Sequence, residues 1–173
     1  LNTGEGGLAP FHLHGQCDLV FQIGTAKYGV RKPDGTLSDE KLQEVASHTS
    51  VKMFEIKLSQ GAKPGKGGIL PAEKVTDVIA STRGIPMGQD SLSPNRHTDI
   101  SSVDDLLNMI HRVRQVTGKP VGIKFVLGQP EWLDDLCRAI QTLGLEYAPD
   151  FVTVDSADGG TGAAPQSLMD NVG

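Results

Sequence analysis

The feature that most constrains this chain is a rhythm of short apolar runs separated by amphipathic stretches. The runs read DLVFQIG (18–24), MFEIKLS (53–59), IPMGQDS (85–91, the weakest), PVGIKFVL (120–127) and DFVTVDS (150–156). They recur about every 30 residues, the length of one βα unit. Between them, SDEKLQEVASH (38–48) carries a Ser38 cap, and PAEKVTDVIASTR (71–83) has Pro71 in its first turn with Val75, Val78 and Ile79 on one face. SVDDLLNMIHRVRQVTG (102–118) and PEWLDDLCRAIQTLG (130–144) repeat the pattern, with Ser102 as a cap and Gly118 and Gly144 as stops. Trp132, Met109 and His111 in these helices read as packing or surface residues. Strands nearly continuous in Val, Ile and Phe, alternating with helices, predict a parallel sheet covered by helices. Two α/β architectures satisfy this: a doubly wound open sheet, or part of a (β/α)8 barrel. Both place function at the carboxyl ends of the strands.

Bulk properties narrow the classes further. The 173 residues suffice for one domain with a core. No run of eighteen apolar residues occurs, so no membrane-spanning helix is expected. LNTGEGGLAPFH lacks the basic-then-apolar order of a secretory signal. A net charge of −5 with scattered Lys and Arg argues against a nucleic-acid surface. Cys17 and Cys137, far apart and without metal-ligand spacing, are expected to be buried free thiols in a reducing, cytoplasmic setting. The chain starts without Met and stops abruptly at DNVG, which reads as a piece of something longer.

Glycine is concentrated at 4–7, 61–68, 84–88 and 159–162, at segment ends rather than in a linker, as expected where backbone approaches a ligand. QGAKPGKGG (60–68) is long and cationic for a connection, which suggests an anion. In FVTVDSADGGTGAAP (151–165) a buried strand runs into Asp155, Asp158, Gly159, Gly160, Thr161 and Gly162 ahead of a helix expected after Pro165. Amides bared by glycines before a helix form an anion site, and Thr161 adds a hydroxyl. A plain flexible loop is the competing reading.

Lys124 interrupts an apolar strand and must reach its mouth or meet an anion. Three uses stay open: a Schiff-base nucleophile, a cation fixed beside a flavin, or a lysine snorkelling to water. Lys57 stands similarly in its own strand. Glu5, flanked by glycines, suits a carboxylate that handles a proton, although an ordinary turn has the same pattern. FHLHG (11–15) spaces His12 and His14 on one strand face, with no third ligand nearby to make a metal site. SPNRHTD (93–99) offers Arg96 and His97 as anion contacts or as solvated loop residues.

NTGEGG, IKLSQGAKPGKGGILP, SPNRHTDISS, VGIKFV and VDSADGGTGAAP, in this order over nearly the whole chain, resemble the FMN-binding domain of glutamate synthase and its stand-alone relatives. The resemblance implies a single domain over 1–173, a (β/α)8 barrel segment of about five units with FMN at the strand carboxyl ends. It implies that Lys124 lies against the flavin and that Asp158, Gly159, Gly160 and Thr161 lie near its phosphate. It further implies that Glu5, Gln60, Lys63 and Arg83 surround 2-oxoglutarate or 2-iminoglutarate, with Glu5 and Lys63 catalytic. Hydride delivery to the imine carbon would give L-glutamate. An electron-donor protein or reductase subunit, and oligomer formation, belong to the same implication.

Lys66 and Ile69 replace an acid and a glutamine of the ferredoxin- and NADPH-dependent enzymes, which aligns the chain with the stand-alone relatives. The family's second glycine-rich loop, its iron–sulfur cysteine cluster and an amidotransferase domain with an N-terminal cysteine are absent from these residues. Two other readings remain: a Schiff-base lyase or aldolase using Lys124, in which QGAKPGKGG has no part, and an inactive partial barrel. In the latter, open sheet edges favour self-association and weak FMN binding.

Overall fold

A computed structural model describes residues 1–63, 67–156 and 165–171. Four strands, β1 (Leu19–Ile23), β2 (Val51–Lys57), β5 (Val121–Val126) and β6 (Val152–Asp155), form one parallel sheet in sequence order. Helices α2 (Asp39–Ser47), α4 (Val103–Thr117) and α5 (Glu131–Leu143) lie in the connections. Sequential parallel strands with a helix in each crossover are the construction of a (β/α) barrel, of which this α/β chain is an incomplete segment.

The strand period of two divides the sheet's faces. Leu19, Phe21, Ile23, Phe54, Ile56, Val121, Ile123 and Phe125 are buried in the core, together with Leu42 and Val45 of α2, Leu106, Leu107, Ile110 and Val113 of α4, and Leu136 of α5. Phe21 and Phe54, register partners, lie with ring centroids 5.6 Å apart. The alternate residues, Gln22, Glu55, Lys57, Lys124, Thr153 and Asp155, give the opposite face its polarity. Buried Glu55 spans it, with Asn2 Nδ2 (2.9 Å), Gln22 Nε2 (2.7 Å) and Thr153 Oγ1 (2.7 Å) donating to its carboxylate.

Gly122 belongs to this face, and the reason is steric. A Cβ there would stand 2.4 Å from the Phe151 ring. Gly122→Ala should therefore cost about 1–3 kcal/mol by overpacking. The denaturation midpoint of the intact protein checks this, and Phe151→Leu in the same chain should return part of the loss.

The helix caps follow the sequence. Ser38 accepts from Lys41 N, and Ser102 with Asp105 closes a capping box. The hydrogen bonds that Ser101 and Ser102 donate to Asp105 hold its carboxyl at about 2. α6 (Gln166–Asn171) begins after Pro165 as expected. Trp132 packs edge-on against Phe125 and His111 stacks on Tyr147, in the packing roles assigned to them.

Several expectations are corrected. Residues 85–91 are no strand of the sheet: Gly84 is left-handed (φ 69°) and Pro86 and Gly88 hold a turn, so the described units number four rather than five. Instead, β3 (Ile69–Leu70) and β4 (Ser91–Leu92) make a small antiparallel pair. The helix over 71–83 breaks in two, a 3₁₀ turn at Ala72–Lys74 and α3 (Asp77–Arg83), because Thr76 adopts extended geometry and caps Ile79 N. Its supposed single face splits accordingly, with Val75 buried and Val78 exposed.

His12 and His14 lie on a short helix, α1 (Pro10–His14), not a strand; Pro10 starts the helix and Ala9 N donates to His12 Nδ1. The cysteines are free but not buried: Cys17 is half-buried and Cys137 exposed, on an α5 that buries only Leu136. Among the described residues no helix is long and apolar enough to cross a membrane.

Candidate functional site

β2 and β5 end side by side, and the register makes Lys57 and Lys124 neighbours. The chain leaving β2 then folds over this edge. Val126 N donates to Ser59 Oγ (2.9 Å) and Leu58 N to the Lys124 carbonyl (2.8 Å). The result is a cleft at the strand carboxyl ends, lined by Glu5, Lys57, Gln60, Lys63, Ser93 and Asn95 among others.

Lys57 organises it. Its ammonium donates to Glu5 Oε2 at 2.9 Å and to Gln60 Oε1 at 3.2 Å, and its side chain is 13% exposed. An ammonium only donates, so it takes the amide oxygen of Gln60 and leaves the NH₂ for a ligand's acceptor. Glu5 approaches so closely that a Cβ on Gly24 would stand 2.7 Å from its own Cβ. The absence of a side chain at Gly24 thus makes room for the Glu5 carboxylate.

The other half of the mouth centres on Asp155. Its Oδ2 lies 3.5 Å from Lys124 Nζ and accepts from Gly61 N at 3.1 Å. Lys124 is thus at the mouth, partly exposed and loosely paired, and the cationic loop is tied to β6 through the same carboxylate.

The loop at 93–99 closes the far wall. Thr25 Oγ1 donates to the Pro94 carbonyl (2.7 Å), and Asn95 Oδ1 accepts from Gly67 N (2.9 Å). His97 is buried, not solvated, with Nε2 2.9 Å from the Lys57 carbonyl. Burial pushes its imidazole below the ordinary histidine value; the Lys57 carbonyl opposes this, Lys27 reinforces it and Asp99 opposes it.

The structure thus brings Glu5, Gln60 and Lys63 into one cleft and sets Lys124 beside it. Arg83 lies elsewhere. It lines a neighbouring, more apolar cleft with Phe11 and His12, its Nη1 donating to Ser91 Oγ (2.8 Å) and its guanidinium 4.8 Å from the centre of the Tyr28 ring. Both partners are neutral, and neither Arg83 nor Lys63 has a carboxylate partner among the described residues. Asp158, Gly159, Gly160 and Thr161 lie outside the described residues, as do Pro64, Gly65 and Lys66.

Sequence reasoning passed over Asn95 and Thr25, which carry no local signal; it found Asp155 at its strand's end but not the Lys124 and Gly61 partners that the fold brings to it. Glu55 did carry one: an acid in the polar phase of an apolar strand, two residues before Lys57. Among the described residues no group of three or more His, Cys, Asp or Glu could hold a metal ion.

Comparison with known proteins places the chain among relatives. The family profile described as a conserved region in glutamate synthase matches residues 1–173. A glutamate synthase large subunit-like protein, YerD, of Bacillus subtilis is 43% identical over 173 residues, covering 100% of this chain and 32% of that protein. The archaeal-type NADPH glutamate synthase of a Thermotoga strain is 37% identical over 174 residues, covering 99% of this chain and 31% of that protein. An archaeal NADPH glutamate synthase of Archaeoglobus fulgidus is 38% identical over 175 residues, covering 99% and 30%. The chain spans about a third of the length of these curated relatives.

Proposed function

The chain belongs to the glutamate synthase family, and from that premise we propose that it forms the FMN-binding part of an oxidoreductase that reduces 2-iminoglutarate to L-glutamate. The observation that carries this reading is the Lys57 ammonium bridging Glu5 and Gln60 in a cleft that Lys63 also lines, at strand carboxyl ends. Such a mouth suits a small diacid. Lys63, which lines the cleft without a carboxylate partner among the described residues, serves one of its carboxylates, and the Gln60 NH₂ donates to an acceptor of the substrate. Arg83, assigned to the substrate by the resemblance, instead faces Ser91 and Tyr28 in the neighbouring cleft. Glu5, held through one oxygen by Lys57, keeps the other for a proton at the substrate nitrogen.

The residues fit a flavin on chemical grounds. Lys124 presents a partly exposed ammonium whose one carboxylate partner stands at 3.5 Å, a donor suited to the electron-rich edge of the ring. Lys124, with the amides of the 158–161 loop, would hold FMN. When bound, FMN supplies the hydride for the imine carbon. Condensation of ammonia with 2-oxoglutarate releases water and yields the imine; reduction then takes up one hydride and one proton.

An iron–sulfur centre, an electron-donor protein or reductase subunit, and subunit assembly belong to the whole protein within the same proposal. So does a cytoplasmic setting.

Full-length protein supplied with FMN should bind it stoichiometrically and form glutamate from 2-oxoglutarate and ammonia when given a reductant. Lys124→Met should weaken flavin binding about tenfold, near 1.4 kcal/mol, as measured by flavin fluorescence titration. Full-length protein that takes up no flavin would overturn the reading.

A further inference from the structure

His97 is the least explained side chain near the cleft. It is 3% exposed, its Nε2 lies 2.9 Å from the Lys57 carbonyl, and its Nδ1 is buried without a hydrogen-bond partner among the described residues. A carbonyl only accepts, so Nε2 carries the hydrogen and Nδ1 is a bare lone pair. An orphaned buried acceptor is costly. A packing role alone would be filled better by an apolar side chain, so the donated hydrogen bond is the reason for a histidine here.

What that bond grips is specific. The Lys57 peptide is the last of β2, and the ammonium of the same residue holds Glu5 and Gln60. Two further contacts fasten the same loop. Fully buried Lys27, in a left-handed conformation (φ 54°), pairs with Asp99 at 2.9 Å, and Thr25 Oγ1 donates to the Pro94 carbonyl at 2.7 Å. The three contacts join residues 94–99 to the carboxyl ends of β1 and β2, and residues of this loop form one wall of the cleft.

We propose that His97 is a positioning residue: as a neutral imidazole it donates to the Lys57 carbonyl and so fixes the ammonium that orients Glu5 and Gln60. The consequence for diacid binding rests on the function proposed above; the positioning itself does not.

The test compares His97→Met, which keeps volume and loses the donor, with His97→Gln, whose side-chain amide can donate in place of Nε2. In the full-length protein, His97→Met should raise KM for 2-oxoglutarate about tenfold while kcat changes less than threefold. His97→Gln should stay within about twofold of wild type. Should His97→Met not fold, His97→Asn replaces it, being polar but too short to reach the carbonyl. Hydrogen exchange of the segment 57–60, read by mass spectrometry, is the second arm: faster in the donor-less variant, near wild type in His97→Gln. Equal impairment of both variants, or wild-type KM and exchange in His97→Met, would overturn the proposal. Should the full-length protein make no glutamate, the functional reading fails while the exchange comparison still decides the role of His97.

Discussion

Full-length protein carrying Lys57→Met should lose about a hundredfold or more in kcat/KM for 2-oxoglutarate, close to 2.7 kcal/mol of transition-state stabilisation. The size follows from how much one atom does. The Lys57 ammonium holds Glu5 Oε2 and Gln60 Oε1, so its removal frees together the carboxylate proposed to handle the proton and the amide proposed to face the substrate. It also leaves Glu5 as an uncompensated negative charge in the cleft proposed to take a dianion. The cost to folding should be small. Glu5 is 37% exposed and can be hydrated once unpaired, and ion pairs of this exposure contribute at most about 1 kcal/mol. Steady-state kinetics beside a denaturation curve checks both halves. A variant with unchanged kcat/KM would remove Lys57 from the site; one that lost activity only by unfolding would make it structural.

The second large effect lies one step deeper in the same strand. Glu55→Leu should destabilise the protein by about 3 kcal/mol, read as a lower denaturant midpoint with unchanged slope. Glu55 is 2% exposed, and its carboxylate receives donors from β1, β6 and the N-terminal segment. Leucine leaves three donors without an acceptor, of which Gln22, itself buried, pays most. Glu55→Gln should cost less than about 1 kcal/mol. Its oxygen retains Asn2 and Gln22, and the Thr153 hydroxyl can turn to accept from the new NH₂. If glutamine proved as costly as leucine, the charge rather than the hydrogen-bond count would be holding the sheet's inner face.

Glu55 also bears on what can be read from a sequence. MFEIKLS alternates strictly, with Phe54 and Ile56 on one face and Glu55 and Lys57 on the other. The strand was legible from its apolar phase, and its polar phase was equally plain. What the string could not say is that Glu55 would be spanned by Gln22 and Thr153, because those partners come from strands 33 and 98 residues away.

The misreadings have the same root. At 85–91 the apolar residues suggested a strand, but Gly84, Pro86 and Gly88 punctuate the run, and local backbone geometry prevailed over hydropathy. His97 reads from the sequence as an anion contact or a solvated loop residue; its burial depends on Lys27 and Lys57, which lie far off in the chain.

The four strands of the sheet, helices α2, α4 and α5, the Ser38 and Ser102 caps and the positions of Glu5, Gln60, Lys63 and Lys124 near element ends were legible in the sequence alone. Hydropathy period, cap chemistry and the breaking power of Gly and Pro act over a few residues, and the chain displays them directly. Only the tertiary structure decided which charges meet: that Lys57 takes both Glu5 and Gln60, that Asp155 reaches Lys124 and Gly61, and that Arg83 turns to Tyr28 and Ser91. Coulomb and hydrogen-bond energies depend on separations of a few ångströms, and those separations exist only once β1, β2, β5 and β6 have paired in register.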